Sequence, residues 1–296
     1  MEAEITGFRI ANSILQDTEY SGEYLLVEGV KDIRLYKKFV REELRVKATF
    51  GKYNLRAAYD ILVKESFDRV FGIRDADFLR IANNPKFDPN YVNAIFVTDN
   101  HDSEVMMIDS KALTDFLLVV SDTEKIKKFE ALVGFTIREL LYALGYAIGC
   151  LKLANKRYGL GLVFKPERPD GNVIKYKRFI CDKKFTYSSN DDLVDAVIDY
   201  SRNRKTNLAA RSEILNCLGV VMAEGHNVRE IVGGHDLAEI LYLVVTKGLG
   251  SSSSLLRNSD SVENSLILSY DITQFCKTQL YSQIDSYQKS RGISII

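Results

Sequence analysis

Tyr24-Leu-Leu-Val-Glu-Gly-Val-Lys-Asp32 decides the reading of this chain. Four apolar residues run without a polar interruption, and the run ends abruptly on Glu28. An apolar run of this length bounded by turn residues reads as a strand buried on both faces. Gly29 then permits a tight turn into a helix. Two further runs repeat the pattern. Val70-Phe-Gly-Ile-Arg-Asp-Ala-Asp77 ends in Asp75 and Asp77, and Ala94-Ile-Phe-Val-Thr-Asp-Asn-His-Asp-Ser-Glu104 ends in Glu104. A carboxylate at a strand's carboxyl end stands over the crevice where α/β sheets bind ligands.

Outward from these runs, the spacing predicts strands over 24–28, 46–50, 69–73 and 93–98. Helices are expected over 31–44 and 54–64, the second with Asn54 as its cap. This alternation predicts an α/β fold with a mostly parallel sheet flanked by helices. Residues 78–91, with Asn83-Asn84-Pro85 and Asp88-Pro89, read as a loop beside the acidic ends. Beyond Glu104 the pattern becomes helical, with helices expected over 105–120, 124–133, 136–156, 191–201, 208–218, 236–246 and 260–289. A loop is expected over 165–172, a strand over 176–180 and a Ser-rich break over 250–254. The expected division is a sheet domain over 1–125 and a mainly helical domain over 126–296, the latter for dimer or partner contacts.

The chain has 296 residues, 46% of them hydrophobic, enough for a sizeable core. Lys plus Arg and Asp plus Glu number 40 each, so overall charge does not mark a nucleic-acid-binding module. Local segregation remains: acids gather at the strand ends, and the segment from Lys165 to Lys184 is rich in Lys and Arg. Interleaved there, Tyr176, Phe179 and Phe185 suit either base stacking or a small core. Cys150, Cys181, Cys217 and Cys276 contain no CxxC pair, which argues against a zinc ribbon and for reduced thiols in a cytoplasmic protein. The amino terminus lacks a signal-peptide pattern. The apolar stretch Leu140–Leu151 is too short to span a bilayer and reads as a buried helix, so no membrane association is expected. Gly159-Leu-Gly161 lacks the third glycine of a dinucleotide fingerprint, and no GxxxxGK[ST] is present.

Converging carboxylates suit a hard divalent cation such as Mg2+, or Mn2+, because such ions prefer oxygen ligands. Glu28 and Asp32 are four apart across the strand-to-helix turn, so both can face one crevice. Asp75 and Asp77 point to the same side if their strand continues through them. Glu28, Asp32, Asp75, Asp77 and Glu104 are therefore the candidate metal ligands, with Glu28, Asp75, Asp77 and Glu104 the candidate catalytic residues. Arg74 is a candidate phosphate contact. His101 suits proton transfer or a turn, His235 or Asp236 a helix cap, and His226 has no motif around it. An Asp-x-Asp also occurs in glycosyltransferases, but no sugar-nucleotide signature accompanies it here.

Glu-Gly-x-x-Asp after a first strand and Asp-x-Asp after a later one resemble the TOPRIM domain of topoisomerases, primases and OLD-family nucleases. The string Val97-Thr-Asp-Asn-His-Asp-Ser-Glu104 is similar to a TOPRIM subgroup encoded beside ABC-type ATPases in bacterial anti-phage systems of the PARIS type. The shared motifs cover about the first 110 residues. The resemblance implies that Glu28 acts as general acid/base or metal ligand, with Asp32, Asp75, Asp77 and Glu104 carrying Mg2+. It implies a nuclease effector acting on RNA, in particular tRNA. It further implies an ATPase partner subunit that holds the effector inactive, and a homodimer as the active form. The alternative is a TOPRIM-like scaffold that regulates the ATPase without catalysis. No tyrosine sits in a topoisomerase-like context.

Overall fold

Burial of Tyr24–Val27 (β1) on both faces follows from its place inside a sheet. The computed structural model describes residues 5–83, 94–166, 171, 173–202, 204 and 207–296. β1 lies between β2 (Arg45–Ala48) and β3 (Val70–Arg74), with β4 (Ile95–Val97) outside β3. Every pair is parallel, Tyr24 standing opposite both Arg45 and Val70, and Gly72 opposite Ile95. β1 and β3 are buried at every position and edge strand β4 at its two ends, whereas edge strand β2 is buried nowhere, which explains why β2 does not read as an unbroken apolar run. The expected α/β architecture, a parallel sheet flanked by helices with a helical region after it, is thus observed.

α2 (Val30–Tyr36) links β1 to β2, and α3 (Lys52–Lys64) links β2 to β3. A helix not foreseen from the sequence, α1 (Gly7–Leu15), packs on α3. Ile10, Ala11 and Ile14 share one core with Leu55, Ala58, Leu62, Tyr24 and Leu26. The Thr6 hydroxyl starts α1 by accepting the Arg9 N–H at 3.3 Å.

The chain divides into two compact units: the first holds residues up to Ala112 together with Ile267–Ile296, the second Leu113–Leu266. The division therefore falls earlier than the expected 125, and the last thirty residues return to the sheet. Two local reasons account for that return. Asp99, just past β4, accepts the N–H groups of Gln279 and Leu280 at 2.8 Å each, at the start of α14 (Gln279–Arg291). Tyr287 of α14 then packs its ring against Phe71 and Phe96 at 6.0 and 5.5 Å. Both contacts join residues far apart in sequence.

Several elements depart from their expected bounds. The helix expected over 31–44 stops at Tyr36, because Phe39 stacks on Phe275 at 4.6 Å and Lys38 donates to the carbonyls of Ile267, Leu268 and Tyr270. Asn54 is not the cap of α3. Gly51 precedes that helix, and Asn54 donates to the Ile5 carbonyl at 3.1 Å. The helix expected over 105–120 breaks into α4 (Ser103–Asp109) and α5 (Ala112–Val120). Ser110 between them is extended, its hydroxyl bound to the Met107 carbonyl and to Gln274 at 2.7 Å each.

In the second unit α6 (Thr123–Val133) leads to α7 (Ile137–Tyr158), where Thr136 and Glu139 form a reciprocal cap and Gly159 closes the helix at φ +65°. Gly149 of α7 lets the backbone at Ile231 approach so closely that a Cβ would meet the Ile231 carbonyl oxygen at 2.5 Å. The strand expected over 176–180 is a 3-10 turn at Tyr176–Arg178 followed by β5 (Ile180–Cys181), paired antiparallel with β6 (Thr186–Tyr187). α8 (Asn190–Arg202), α9 (Arg211–Ala223), a one-turn α10 (Val228–Ile231) and α11 (Gly234–Leu243) follow. The last expected helix is three: α12 (Ser259–Ser269), α13 (Ile272–Phe275) and α14, with Asp271 and Thr278 capping the second and third. Residues 84–93 of the proline-bearing loop, and Arg168 and Asn172, lie outside the described residues. Among the described residues no single helix is long and apolar enough to cross a membrane.

Candidate functional site

From β1 the chain steps to one side to form β2, then returns to lay β3 on β1's other side. At such a switch point the loops leaving neighbouring strands part and open a crevice at their carboxyl ends. Glu28 is the first residue after β1, and Asp75 the first after β3. The Asp75 N–H donates to Glu28 Oε1 at 3.2 Å, which joins the two strand ends.

Burial pushes the Glu28 carboxyl up to about 7. The nearby Asp77 adds to the rise, opposed by Arg74, the Asp75 N–H and Lys52. Glu28 therefore holds both protonation states in comparable amounts near neutral pH, the condition that suits a group exchanging protons with substrate.

Asp75 is the electrostatic centre of the cluster. Its Oδ1 accepts the Ser103 N–H at 3.2 Å, with the Ser103 hydroxyl at 3.5 Å. Burial raises its pKa well above the usual carboxylate range, and Asp32, Asp102, Glu104 and Glu28 each raise it further. Four negative groups thus bear on one carboxylate. Asp32 is brought there by α2, where its Oδ2 accepts the Gly29 N–H at 2.8 Å. Asp102 and Glu104 are brought by the start of α4. Asp102 accepts the Val105 N–H at 3.0 Å as the helix cap, and Glu104 lies buried in the first turn. The Tyr36 hydroxyl stands 3.1 Å from the Ser103 hydroxyl. Burial, with Asp32 next, raises the pKa of that phenol well above its ordinary value, so it stays protonated.

Asp77 differs from its expected role. β3 ends at Arg74, and Asp77 sits in the left-handed region at φ +49°, so it does not continue a strand with Asp75. Its carboxylate binds Lys52 Nζ at 2.7 Å and Arg74 at 3.4 Å. Burial disfavours its ionisation, but Lys52, His101 and Arg74 outweigh that and hold its pKa below the usual value. Asp77 is thus a neutralised anion that anchors Lys52. Arg74 likewise turns inward: it is buried, donates to the Asp75 carbonyl at 3.0 Å and lies 3.9 Å from Glu28. That geometry assigns Arg74 to bracing the acidic loop and leaves it little reach for phosphate.

His101 is buried and packs edge-on to Phe78 with ring centroids 4.9 Å apart, while its carbonyl accepts the Asp77 N–H at 2.6 Å. Neither His235 nor Asp236 caps α11, whose cap is Gly233. His235 pairs with Glu263 at 2.7 Å, Asp236 with Lys152 at 2.5 Å, and His226 with Glu224 at 2.5 Å. In the basic stretch, Lys165, Lys175, Lys183 and Lys184 are exposed, but Phe179 and Phe185 are buried. The two phenylalanines therefore serve the core and do not stack bases. Cys150 and Cys217 are buried, and all four thiols are free.

The sequence reading missed Lys52, Thr98, Asp102 and Ser103. Lys52 follows Phe50-Gly51, where two successive residues take positive φ and swing the start of α3 toward Asp77. Thr98 holds the acidic loop by accepting the Ala76 N–H at 2.9 Å. Asp102-Ser103 had a visible signal, a cap residue just before the apolar run Val105–Ile108.

The donor set tests the fit to a metal. Glu28, Asp32, Asp75 and Glu104 offer only carboxylate oxygen, the chemistry of Mg2+ or Mn2+, and their mutual repulsion at Asp75 is what a divalent charge relieves. Asp77, paired with Lys52, does not fit. Among the described residues, no three of these five carboxylates bring their oxygens within 4.8 Å of one another, so the ligands stand gathered but not closed. In comparison with known proteins, no family model matches the chain and no curated protein matches its sequence.

Proposed function

We propose that this chain is a divalent-metal-dependent nuclease of the TOPRIM type, with its active site at the carboxyl ends of β1 and β3. The observation that carries the reading is the gathering of carboxylates at two neighbouring strand ends, where the Asp75 N–H donates to Glu28 Oε1 at 3.2 Å and Asp75 Oδ1 accepts the N–H of Ser103 at 3.2 Å, at the start of the helix that carries Glu104. In this reading Asp75, Asp32 and Glu104 would hold Mg2+ or Mn2+, with Glu28 beside them. When bound, the metal would supply positive charge against the phosphodiester and its leaving oxygen. Glu28 takes a proton from the attacking water as the water oxygen bonds to phosphorus. The ester bond to the leaving oxygen breaks, and that oxygen takes a proton from solvent. Lys52 sets a positive charge beside the acidic group, suited to a phosphate oxygen.

The substrate class and setting rest on the resemblance alone. They are RNA, in particular tRNA, cut by an AriB-like effector of a PARIS-type anti-phage system in the cytoplasm. An AriA-like ABC-type ATPase would hold the effector inactive, and release would yield an active homodimer. One observation favours a second reading, a TOPRIM-like subunit that regulates the ATPase without catalysis: Lys52 already occupies Asp77, and the carboxylates do not close into a cage.

The deciding experiment incubates the purified chain with total RNA and with plasmid DNA, with and without Mg2+, beside Glu28→Ala, and sequences the new RNA ends. Mg2+-dependent RNA cleavage that is lost in Glu28→Ala is the expected result. Cleavage by Glu28→Ala at the wild-type rate would overturn the catalytic assignment.

A further inference from the structure

Tyr53 is 83% exposed, the most exposed large apolar side chain among the described residues. It stands in the first turn of α3, off the face that buries Leu55, Ala58, Tyr59 and Leu62. Folding gains almost nothing from it, since its ring leaves water on no side. Its surroundings belong to the acidic site. The loop before it is tied to the end of β1, the Gly51 N–H donating to the Glu28 carbonyl at 3.0 Å. Lys52 Nζ bridges the two features, 2.7 Å from Asp77 and 5.9 Å from the centre of the Tyr53 ring. Phe50, 37% exposed, lies on the same loop at φ +56°, a conformation that bulky residues rarely adopt. One solvent-facing ring, Tyr53, thus stands by a lysine at the acidic site, with the partly exposed Phe50 two residues before that lysine.

Resting on the nuclease reading above, we propose that Tyr53, assisted by Phe50, stacks an unpaired base of RNA next to the phosphodiester under attack. A ring beside a cation offers the two things a single strand presents, a base face and a phosphate charge. A base inside a duplex has both faces covered by its neighbours, so the platform selects strands whose bases are splayed out, as in loops and bulges. Stacking tolerates any base, so this device selects conformation and leaves sequence to other contacts. A protein occupant fits less well, because the charged Lys52 comes between Phe50 and Tyr53 in the chain.

The test uses the full-length chain and a short single-stranded RNA of about 12 nucleotides carrying 2-aminopurine. The same RNA annealed to its complement is the control. Ca2+ replaces Mg2+ during binding, and cleavage is measured separately in Mg2+. The expected result is quenching of 2-aminopurine on binding. Tyr53→Ala is expected to bind the single strand about 5- to 100-fold more weakly and to lose the quench, while Tyr53→Phe restores both. Duplex binding should be the same for all three proteins, and their melting temperatures should coincide, since the side chain is exposed. If Tyr53→Ala binds and quenches like wild type while wild type still cuts RNA, the stacking proposal falls and the nuclease reading stands. Equal weakening toward duplex and single strand would also overturn it. If wild type neither binds nor cuts RNA, both fall.

Discussion

Asp236 in the helical unit and Asp75 in the sheet unit meet burial in opposite ways. In the helical unit Asp236 is 3% exposed, yet it has a cation and a hydroxyl at hand: Lys152 Nζ and the Tyr176 hydroxyl each lie 2.5 Å from one of its oxygens. Glu263 has His235 at 2.7 Å; Glu239 is the exception, since it accepts from Ser259 at 2.6 Å but burial and then Glu263, Asp236 and Asp260 raise its pKa. In the sheet unit, Asp75 accepts one backbone N–H and is crowded by four acids. Asp77, two residues beyond Asp75, is instead neutralised by Lys52 and Arg74. A buried acid kept for structure brings its counter-charge within the fold. Acids crowded onto one carboxylate cost stability and mark a place where charge is to come from outside.

Substitution should therefore have unlike consequences in the two units. The largest effect belongs to activity. Glu28→Gln keeps the shape but removes the proton acceptor, and Mg2+-dependent RNA cleavage should fall by about 10²–10⁴-fold, with the melting temperature unchanged or raised. Next comes Asp236→Ala in the helical unit. It strands Lys152, only 19% exposed, and should cost about 3–5 kcal/mol in urea unfolding. If Asp236→Ala were neutral and Glu28→Gln destabilising, the contrast between the units would be reversed.

The pH response sharpens the contrast further. Glu28 is raised to about 7 in the folded protein, above its ordinary value, so between roughly pH 4.5 and 7 the folded state binds more protons than the unfolded. In EDTA, stability should be greatest near the acid end of that window and fall as pH rises through 7. Glu28 contributes at most about 3 kcal/mol of this, and Asp75 acts in the same direction. Thermal melts of wild type and Glu28→Gln at pH 5 and 7.5 check this, the variant showing the smaller loss. The smallest effect is steric. Gly149→Ala pushes a Cβ against the Ile231 carbonyl and should cost about 1–3 kcal/mol without altering metal or RNA binding.

How much of this could be read from the sequence depends on how local each cause is. β1 and β3 were legible because a strand buried on both faces must be apolar throughout, and Glu28 and Asp75 end those runs visibly. α7 was legible because Thr136 and Glu139 cap it from within the same turn. Asp77 was misread because a period of two was carried past Arg74, the end of β3, into a left-handed turn that Lys52 and the His101 carbonyl stabilise. Neither partner is near it in sequence. The helix breaks at Tyr36 and Ser110 arise from contacts with Phe275 and Gln274, more than 160 residues away in the case of Ser110. The return of α14 to the sheet likewise depends on Asp99, which in sequence looks like one more acid in an acidic string.

Cation binding at Asp75 tests the account most directly. Mn2+ titrated into the purified chain and into Asp75→Asn, followed by calorimetry at pH 7.5 with a thermal melt on each mixture, reads it without any substrate. Saturable binding to wild type that raises its melting temperature, lost in Asp75→Asn, is the result expected. Equal binding by the two proteins, or none by either, would contradict the assignment of the strand-end carboxylates to a metal.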